Sequence, residues 1–414
     1  MASRTKVCNN VYINFCIYKF LYIFAKMIYT MAKIQNKTGA SVERENFYGR
    51  EQELYNAFVK INDGNSLILA APRRVGKTSF AKKMAEICRE KGWAAIYLDL
   101  ESIRTEEQFV RLFVDKLMET EGIFPKIKEW VTTFLENTNI KYKDLEVKHD
   151  KSESDLFKKL HDLLKVIKDQ ELLIICDELT IFLNYIIREK DGKTNTEHAD
   201  YFLNMLRGLR QMSECNHRWI FCSSISIENF LKRNNLSKSM NDVTQYRLDE
   251  LKHCEAIGLL NALAESYGYT YGEGIAEYIL HRIGMALPYY IQLMFAEIMD
   301  IKCEIKEPIQ TEDIEKAYEQ LLGKQCFNTW TERLDDYPEK AILWKILNNI
   351  SHGPDGCSRD ILESQFSSYD NPSQTVASAL SILKNDGYII LNDKGKYVFR
   401  SFLLRDFWYK EYIA

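Results

Sequence analysis

Proline and glycine are scarce, at 7 and 18 among 414 residues. Collagen-like, mucin-like and proline-rich linker architectures need far more of both, so they are excluded and a helix-rich chain is expected. Ten cysteines are present, but none forms Cys-x-x-Cys, and the seven histidines make no metal-spaced pair. Zinc-ribbon and disulfide-scaffold readings therefore lack support, and the thiols are expected as reduced, small core residues of a cytoplasmic protein. No excess of one charge exists either: 55 Lys+Arg stand against 59 Asp+Glu, a net charge of -4. That balance excludes a generally basic nucleic-acid coat and leaves room only for a local basic patch. With 46% apolar and 28% charged residues, the composition is that of a folded chain, and its length predicts two to four domains.

Long apolar runs are missing after residue 35. The exception lies earlier, in VYINFCIYKFLYIFAKMIYT (11–30), preceded by Arg4 and Lys6 and interrupted by Lys19 and Lys26. Three readings stay open for the extension 1–36: a membrane or interfacial anchor, an ordered helix packed on the domain, or a dispensable segment upstream of a start at Met27 or Met31.

What is present is a phosphate-binding pattern. SLILA (66–70) reads as a short buried strand, APRRVGKT (71–78) as a tight loop, and SFAKKMAEICREK as the helix that follows. Strand, loop, Gly-Lys-Thr and helix place backbone N–H groups and a helix N-terminus around phosphates. The loop from Ala71 through Pro72, Arg73, Arg74, Val75, Gly76, Lys77 and Thr78 to Ser79 would bind nucleotide. Lys77 would neutralise the outer phosphates, Thr78 would ligate magnesium, and Gly76 stands where a side chain would collide with phosphate. The pattern's first glycine is Ala71 here. A second half lies 100 residues beyond Lys77. ELLIICDE (171–178) is a continuous apolar run, as in a central parallel strand, ending in two carboxylates. Asp177 would hold Mg2+, and Glu178 would polarise the water that attacks the γ-phosphate. WAAIYLDLES (93–102), RWIFCSS (218–224) and VTQYRL (243–248) supply further strands. Ser224, at the end of the fourth, either contacts phosphate or attacking water or caps the next helix. The charged stretch 137–153 reads as a surface excursion.

FYGREQEL (47–54), PRRVGKTS (72–79), the strand ending Asp177-Glu178, LRGLRQ (206–211), SSISIENFL (223–231), GMALPYYIQ (284–292) and YVFRSFLLRDFW (397–408) follow in an order that resembles the archaeal-type ATPases of the AAA+/STAND group of P-loop NTPases. The resemblance covers roughly residues 45–414, departing at Ala71 and at Ser223. It implies a slow ATPase and switch for a regulatory or defence-type output, with ATP and Mg2+ as cofactors. It also implies that Phe47, Tyr48, Gly49 and Arg50 sit beside adenine and ribose, with Pro288 closing the base from a lid. Tyr48 reads equally well as a core residue. Arg73 and Arg74 would sense polyphosphate or bridge to a neighbouring subunit, unless they are solvated surface. Arg207 and Arg210, three apart on one helix face, are arginine-finger candidates or surface salt-bridge formers.

The fold class expected is α/β, a P-loop parallel sheet covered by helices on both faces (37–249), then an all-helical lid (250–330) and a C-terminal winged-helix domain (331–414). Thr311 with Asp313 and Ile314 marks one lid-helix start. Helices at 338–350, 358–367 and 372–387 precede an alternating hairpin, YIILNDKGKYVF, turning at Asp393-Lys394-Gly395. The third helix turns out Ser373, Thr375, Ser378, Ser381 and Asn385 with little charge beside Lys384, so a packing or partner-docking role is favoured over DNA contact, with a protein partner or homo-oligomer expected. An ATP-dependent DNA-binding regulator is the alternative, with Gln374, Lys394 and Lys396 as its thin support.

Overall fold

The computed structural model describes residues 33–39, 41–71, 73–121, 125, 127–130, 153–187, 196–302 and 307–414. Residues 1–32 of the extension read as an anchor, a packed helix or a dispensable segment, Pro72, and all but the last residue of 137–153 lie outside them.

The first half alternates strands and helices. In chain order these are α1 (Glu51–Asn62), β1 (Leu67–Ala70), α2 (Lys77–Glu90), β2 (Ala94–Asp99), α3 (Glu106–Met118), α4 (Glu153–Val166), β3 (Leu172–Asp177), α5 (Leu179–Ile187), α6 (Glu197–Arg210), β4 (His217–Phe221), α7 (Ile227–Arg233) and β5 (Thr244–Arg247). The five strands form one parallel sheet in the order β2-β3-β4-β1-β5. Successive residues of a strand point to opposite faces, and here both faces are buried. Leu173 and Ile175 belong to the core shared with α1 and α2, while Leu172, Ile174 and Cys176 belong to the core under α3, α4, α5 and α6. That is why the third strand is apolar throughout. In the second core Phe109, Phe157, Phe182 and Phe202 form a ring-on-ring cluster with centroids from 4.9 to 6.4 Å apart. Each such buried ring contributes about 1.5–3 kcal/mol through burial.

Four helices follow: α8 (His253–Tyr267), α9 (Ile275–Ile283), α10 (Pro288–Ile301) and α11 (Thr311–Leu322). They extend the apolar core of the α1/α2 face. α11 begins at Thr311, as read from the sequence, with Gln310 as its cap and Asp313 Oδ2 accepting from the Gln310 amide at 2.9 Å.

The last segment opens with the short α12 (Asn328–Glu332) and continues through α13 (Lys340–Ser351), α14 (Arg359–Ser364), α15 (Pro372–Asn385), the antiparallel pair β6 (Ile389–Leu391) and β7 (Tyr397–Phe399), and α16 (Phe402–Tyr412). The three expected helices and the hairpin are thus present, with Gly395 at positive φ in the turn. α16 joins two units. Tyr318 of α11 donates to Asp406 at 2.7 Å, and Trp408 donates to Asn348 of α13 at 2.8 Å. The module also rests on the sheet domain: Asn385 donates to the Asn229 Oδ1 at 2.8 Å, and Asn229 Nδ2 donates to Asp386 at 3.1 Å. Among the described residues, no helix is long and apolar enough to cross a membrane.

Candidate nucleotide site

β4 separates β1 from β3. The loop after β1, the carboxylates ending β3 and the serines ending β4 therefore open side by side at the carboxyl edge of the sheet, where open α/β sheets bind ligands. α2 begins at Lys77, with Gly76 in the left-handed region at φ +94. Among the described residues, no atom beyond its chain neighbours and its own helix lies within 4 Å of where a Cβ would stand at Gly76, so the glycine answers to its backbone angle. Arg74 shares that region at φ +65.

Lys77 is buried and donates from Nζ to the Ala71 carbonyl at 2.9 Å. Burial, and then the charge of Arg333, hold its ammonium down to about 8. Thr78 donates from Oγ1 to Asp177 Oδ2 at 2.7 Å, and Tyr97 donates to the same oxygen at 2.6 Å. Burial and the Asp177 carboxylate push that phenol upward. The Glu178 amide donates to Asp177 Oδ1 at 3.0 Å. Glu178 itself stands at φ +56, a conformation costly for a side-chain-bearing residue and concentrated at functional sites. Its Oε2 accepts from the Ser224 amide at 2.9 Å, the Ser224 hydroxyl at 2.8 Å and the Ser223 hydroxyl at 3.1 Å. The cap of α7 is Ser226, whose side chain accepts from Asn229 N; Ser224 is left to the carboxylate.

Phe47, Tyr48, Arg50, Arg73, Arg74, Val75, Gly76, Lys77, Thr78, Ser79, Asp177, Glu178, Ser224 and Pro288 all line one cleft of about 400 Å³, within the range of small-ligand sites. Gly49 sits just behind it at φ +71, beside Glu255. Arg50 differs from the expectation of a ribose contact. Its guanidinium, 2% exposed as a residue, donates to the carbonyls of Val75 at 3.0 Å and Asp249 at 2.8 Å. It braces the phosphate loop from behind. Ser79 likewise turns its hydroxyl to the Val42 amide at 3.0 Å. Arg73 is half-buried rather than solvated surface: it donates to the Thr329 carbonyl at 2.9 Å, and burial followed by Arg333 holds it down to about 10. Arg74 lies 4.1 Å over the Tyr289 ring, and its buried Nε has no hydrogen-bond partner among the described residues.

Arg207 and Arg210 are not in the cleft. Arg210, with 1% of its side chain exposed, pairs with Asp242 at 2.8 Å and donates to the Ser239 carbonyl at 3.1 Å. A side chain so enclosed does not reach another protomer, which corrects its reading as a finger. Arg207 donates to the Lys238 carbonyl at 3.1 Å; together the two brace the turn before β5. Sequence reasoning missed Tyr97 and Tyr289, which line the cleft, the second from within GMALPYYIQ, and Arg333, whose charge reaches Arg73 and Lys77.

The residues fit magnesium with a polyphosphate. Thr78 and Asp177 are adjacent oxygen donors, and no group of three or more His, Cys, Asp or Glu among the described residues could hold a metal alone. Magnesium characteristically takes one or two protein ligands and completes its shell with phosphate and water.

No protein-family model matches the chain, and no curated protein matches it in sequence. Solved structures do. The Walker-type ATPase PABY2304 of Pyrococcus abyssi is similar with a TM-score of 0.61 at 14% identity, over 90% of this chain and 99% of that one. The Aeropyrum pernix ORC2 protein, in ADPNP–ADP complexes, is similar with a TM-score of 0.53 at 12% identity, over 90% of this chain and 98% of that one. The strand order, the loop geometry and these likenesses agree with the resemblance in the sequence: the chain has the fold of the P-loop ATPases of the AAA+ class.

Proposed function

We propose that the chain binds Mg-ATP in this cleft and hydrolyses it slowly, as a nucleotide-driven switch in the cytoplasm. The observation that carries the reading is the convergence of a helix N-terminus and the cations Lys77, Arg73 and Arg74 on one side of a cleft whose other side presents Asp177 and Glu178. Lys77 exchanges the Ala71 carbonyl for phosphate oxygens, charged acceptors in place of a neutral one. Thr78 and Asp177 hold Mg2+, which supplies charge neutralisation at the β- and γ-phosphates. Glu178 orients the attacking water and receives its proton, while Ser224 and Ser223 hold the carboxylate in position. Tyr48 and Pro288 flank the base from opposite walls. The Pyrococcus relative is called an ATPase and the Aeropyrum relative was solved with adenine nucleotides, which supports the choice of ligand.

The output runs through the C-terminal module. Its third helix, α15, ends against α7 through Asn385 and Asp386, which favours docking within the protein or onto a protein partner over DNA. Phosphate release by the wild-type chain, with and without Mg2+, tests the proposal. Magnesium-dependent turnover is expected, reduced about 10²- to 10⁴-fold in Glu178→Gln. Absence of magnesium-dependent release sinks it. Duplex DNA should leave the rate unchanged, and a stimulation that fades with added salt would favour the DNA-regulator reading instead.

A further inference from the structure

Tyr97 and Asp177 stand on neighbouring strands and on one face of the sheet. β2 and β3 pair Tyr97 with Ile175 and Asp99 with Asp177, so the period of two turns Tyr97, Ile175 and Asp177 together toward the core of α1 and α2. The diagonal from Tyr97 to Asp177 is a span that an aromatic side chain bridges, and the phenol donates to Asp177 Oδ2 at 2.6 Å. α2 grips both members of the pair from one helix face. Thr78 donates to the same Oδ2 at 2.7 Å, and Lys82, four residues on, stands with its Nζ 5.0 Å from the centre of the Tyr97 ring. Lys82 is itself paired with Glu43 at 2.6 Å and donates to Ser41 at 3.1 Å. The ring is thereby set into the wall of the cleft with its hydroxyl on the carboxylate.

Asp177 is 3% exposed, and its oxygens accept from Thr78, from Tyr97 and, at Oδ1, from the Glu178 amide at 3.0 Å. Thr78 is the other magnesium ligand of the site, and the Glu178 amide is the next peptide along the chain. Neither fixes the carboxylate independently of the metal or of its own backbone. The phenol, brought in from another strand, does.

We infer that Tyr97 is a positioning residue for magnesium: its phenol holds the Asp177 carboxylate beside Thr78, so that the two oxygen donors of the metal stand ready together. The inference rests on the Mg-ATP reading above and deepens it by naming a residue, outside the phosphate loop and the acidic strand end, that sets the metal requirement.

The test is calorimetric titration of the full-length wild type, Tyr97→Phe and Tyr97→Leu with AMPPNP over a magnesium series, and again in excess EDTA. Mn2+ binding to the same complexes is read by electron paramagnetic resonance. Tyr97→Phe removes only the hydroxyl and keeps the ring. It should raise the half-saturating Mg2+ about 10- to 100-fold and weaken Mn2+ binding to match, with affinity in EDTA within about threefold of wild type. Tyr97→Leu deletes the ring as well and should add little to the metal shift. Unchanged magnesium dependence in Tyr97→Phe, or equal weakening with and without metal, overturns the assignment and leaves the ATP reading intact. So does a shift confined to Tyr97→Leu, which would belong to packing. A wild type that binds no AMPPNP, or binds it without regard to magnesium, overturns the Mg-ATP reading as well.

Discussion

Lys77 sits in conflict with its surroundings: a buried ammonium within reach of the Arg333 charge, held down to about 8. Phosphate oxygens placed against it supply the opposite charge and raise that value. Between the two values the free protein has lost the proton that the complex keeps, so binding takes one up. Below them both states are protonated and nothing is exchanged. Titrations near pH 6.5 and near pH 8.5, in buffers of different ionisation enthalpy, should therefore show proton uptake only at the higher pH, with affinity falling as pH rises past about 8. Uptake independent of pH would contradict this. That Lys77, Thr78, Asp177 and Glu178 meet in one cleft was legible in the sequence, because loop and strand-end positions are set locally. Tyr97 and Arg333 were not, since they meet Asp177 and Ser224 at separations of 80 and 109 residues. Arg210 shows the converse: a helix-face position looked available, but the partner that encloses it, Asp242, lies 32 residues on.

Among the elements, the sheet was the most legible part. A strand buried on both faces must be apolar at every position, and β3 is so written from Leu172 to Cys176. The sheet order was not legible, although it is what brings Ser224 to Glu178. The terminal helix α16 was also hidden, because its two neighbours come from different units. One glycine records that junction. Gly284 ends α9 at φ +76, and a Cβ there would stand 3.0 Å from the backbone nitrogen of Phe402 and closer still to its ring. Gly284→Ala should lower stability by about 1–3 kcal/mol in denaturant titration and release α16 to proteases. A loss below about 0.5 kcal/mol would show that α9 and α16 are not locked in this way.

For the whole molecule, one apolar core among the described residues runs from α1 and α2 through α8–α11 to α13, α15 and α16. On the proposed switch reading, motion of the C-terminal module depends on polar contacts outside that core, among them Asn229 with Asn385 and Asp386 and Arg400 with Asp249 and Glu250. Burial pushes the Asp386 carboxyl up, and Asn229→Ala removes one of its hydrogen-bond donors while leaving Tyr337. That variant should expand the chain in X-ray scattering even without nucleotide; an unchanged radius would place the restraint elsewhere. All of this presumes that a triphosphate lies between Gly76-Lys77-Thr78 and the acidic pair at 177–178. Calorimetric titration of wild type and Lys77→Ala with AMPPNP and Mg2+ tests that placement most directly. The expected result is one site per wild-type chain, with affinity at least about 100-fold weaker in the variant at unchanged circular dichroism. Equal affinity in the two chains would contradict it.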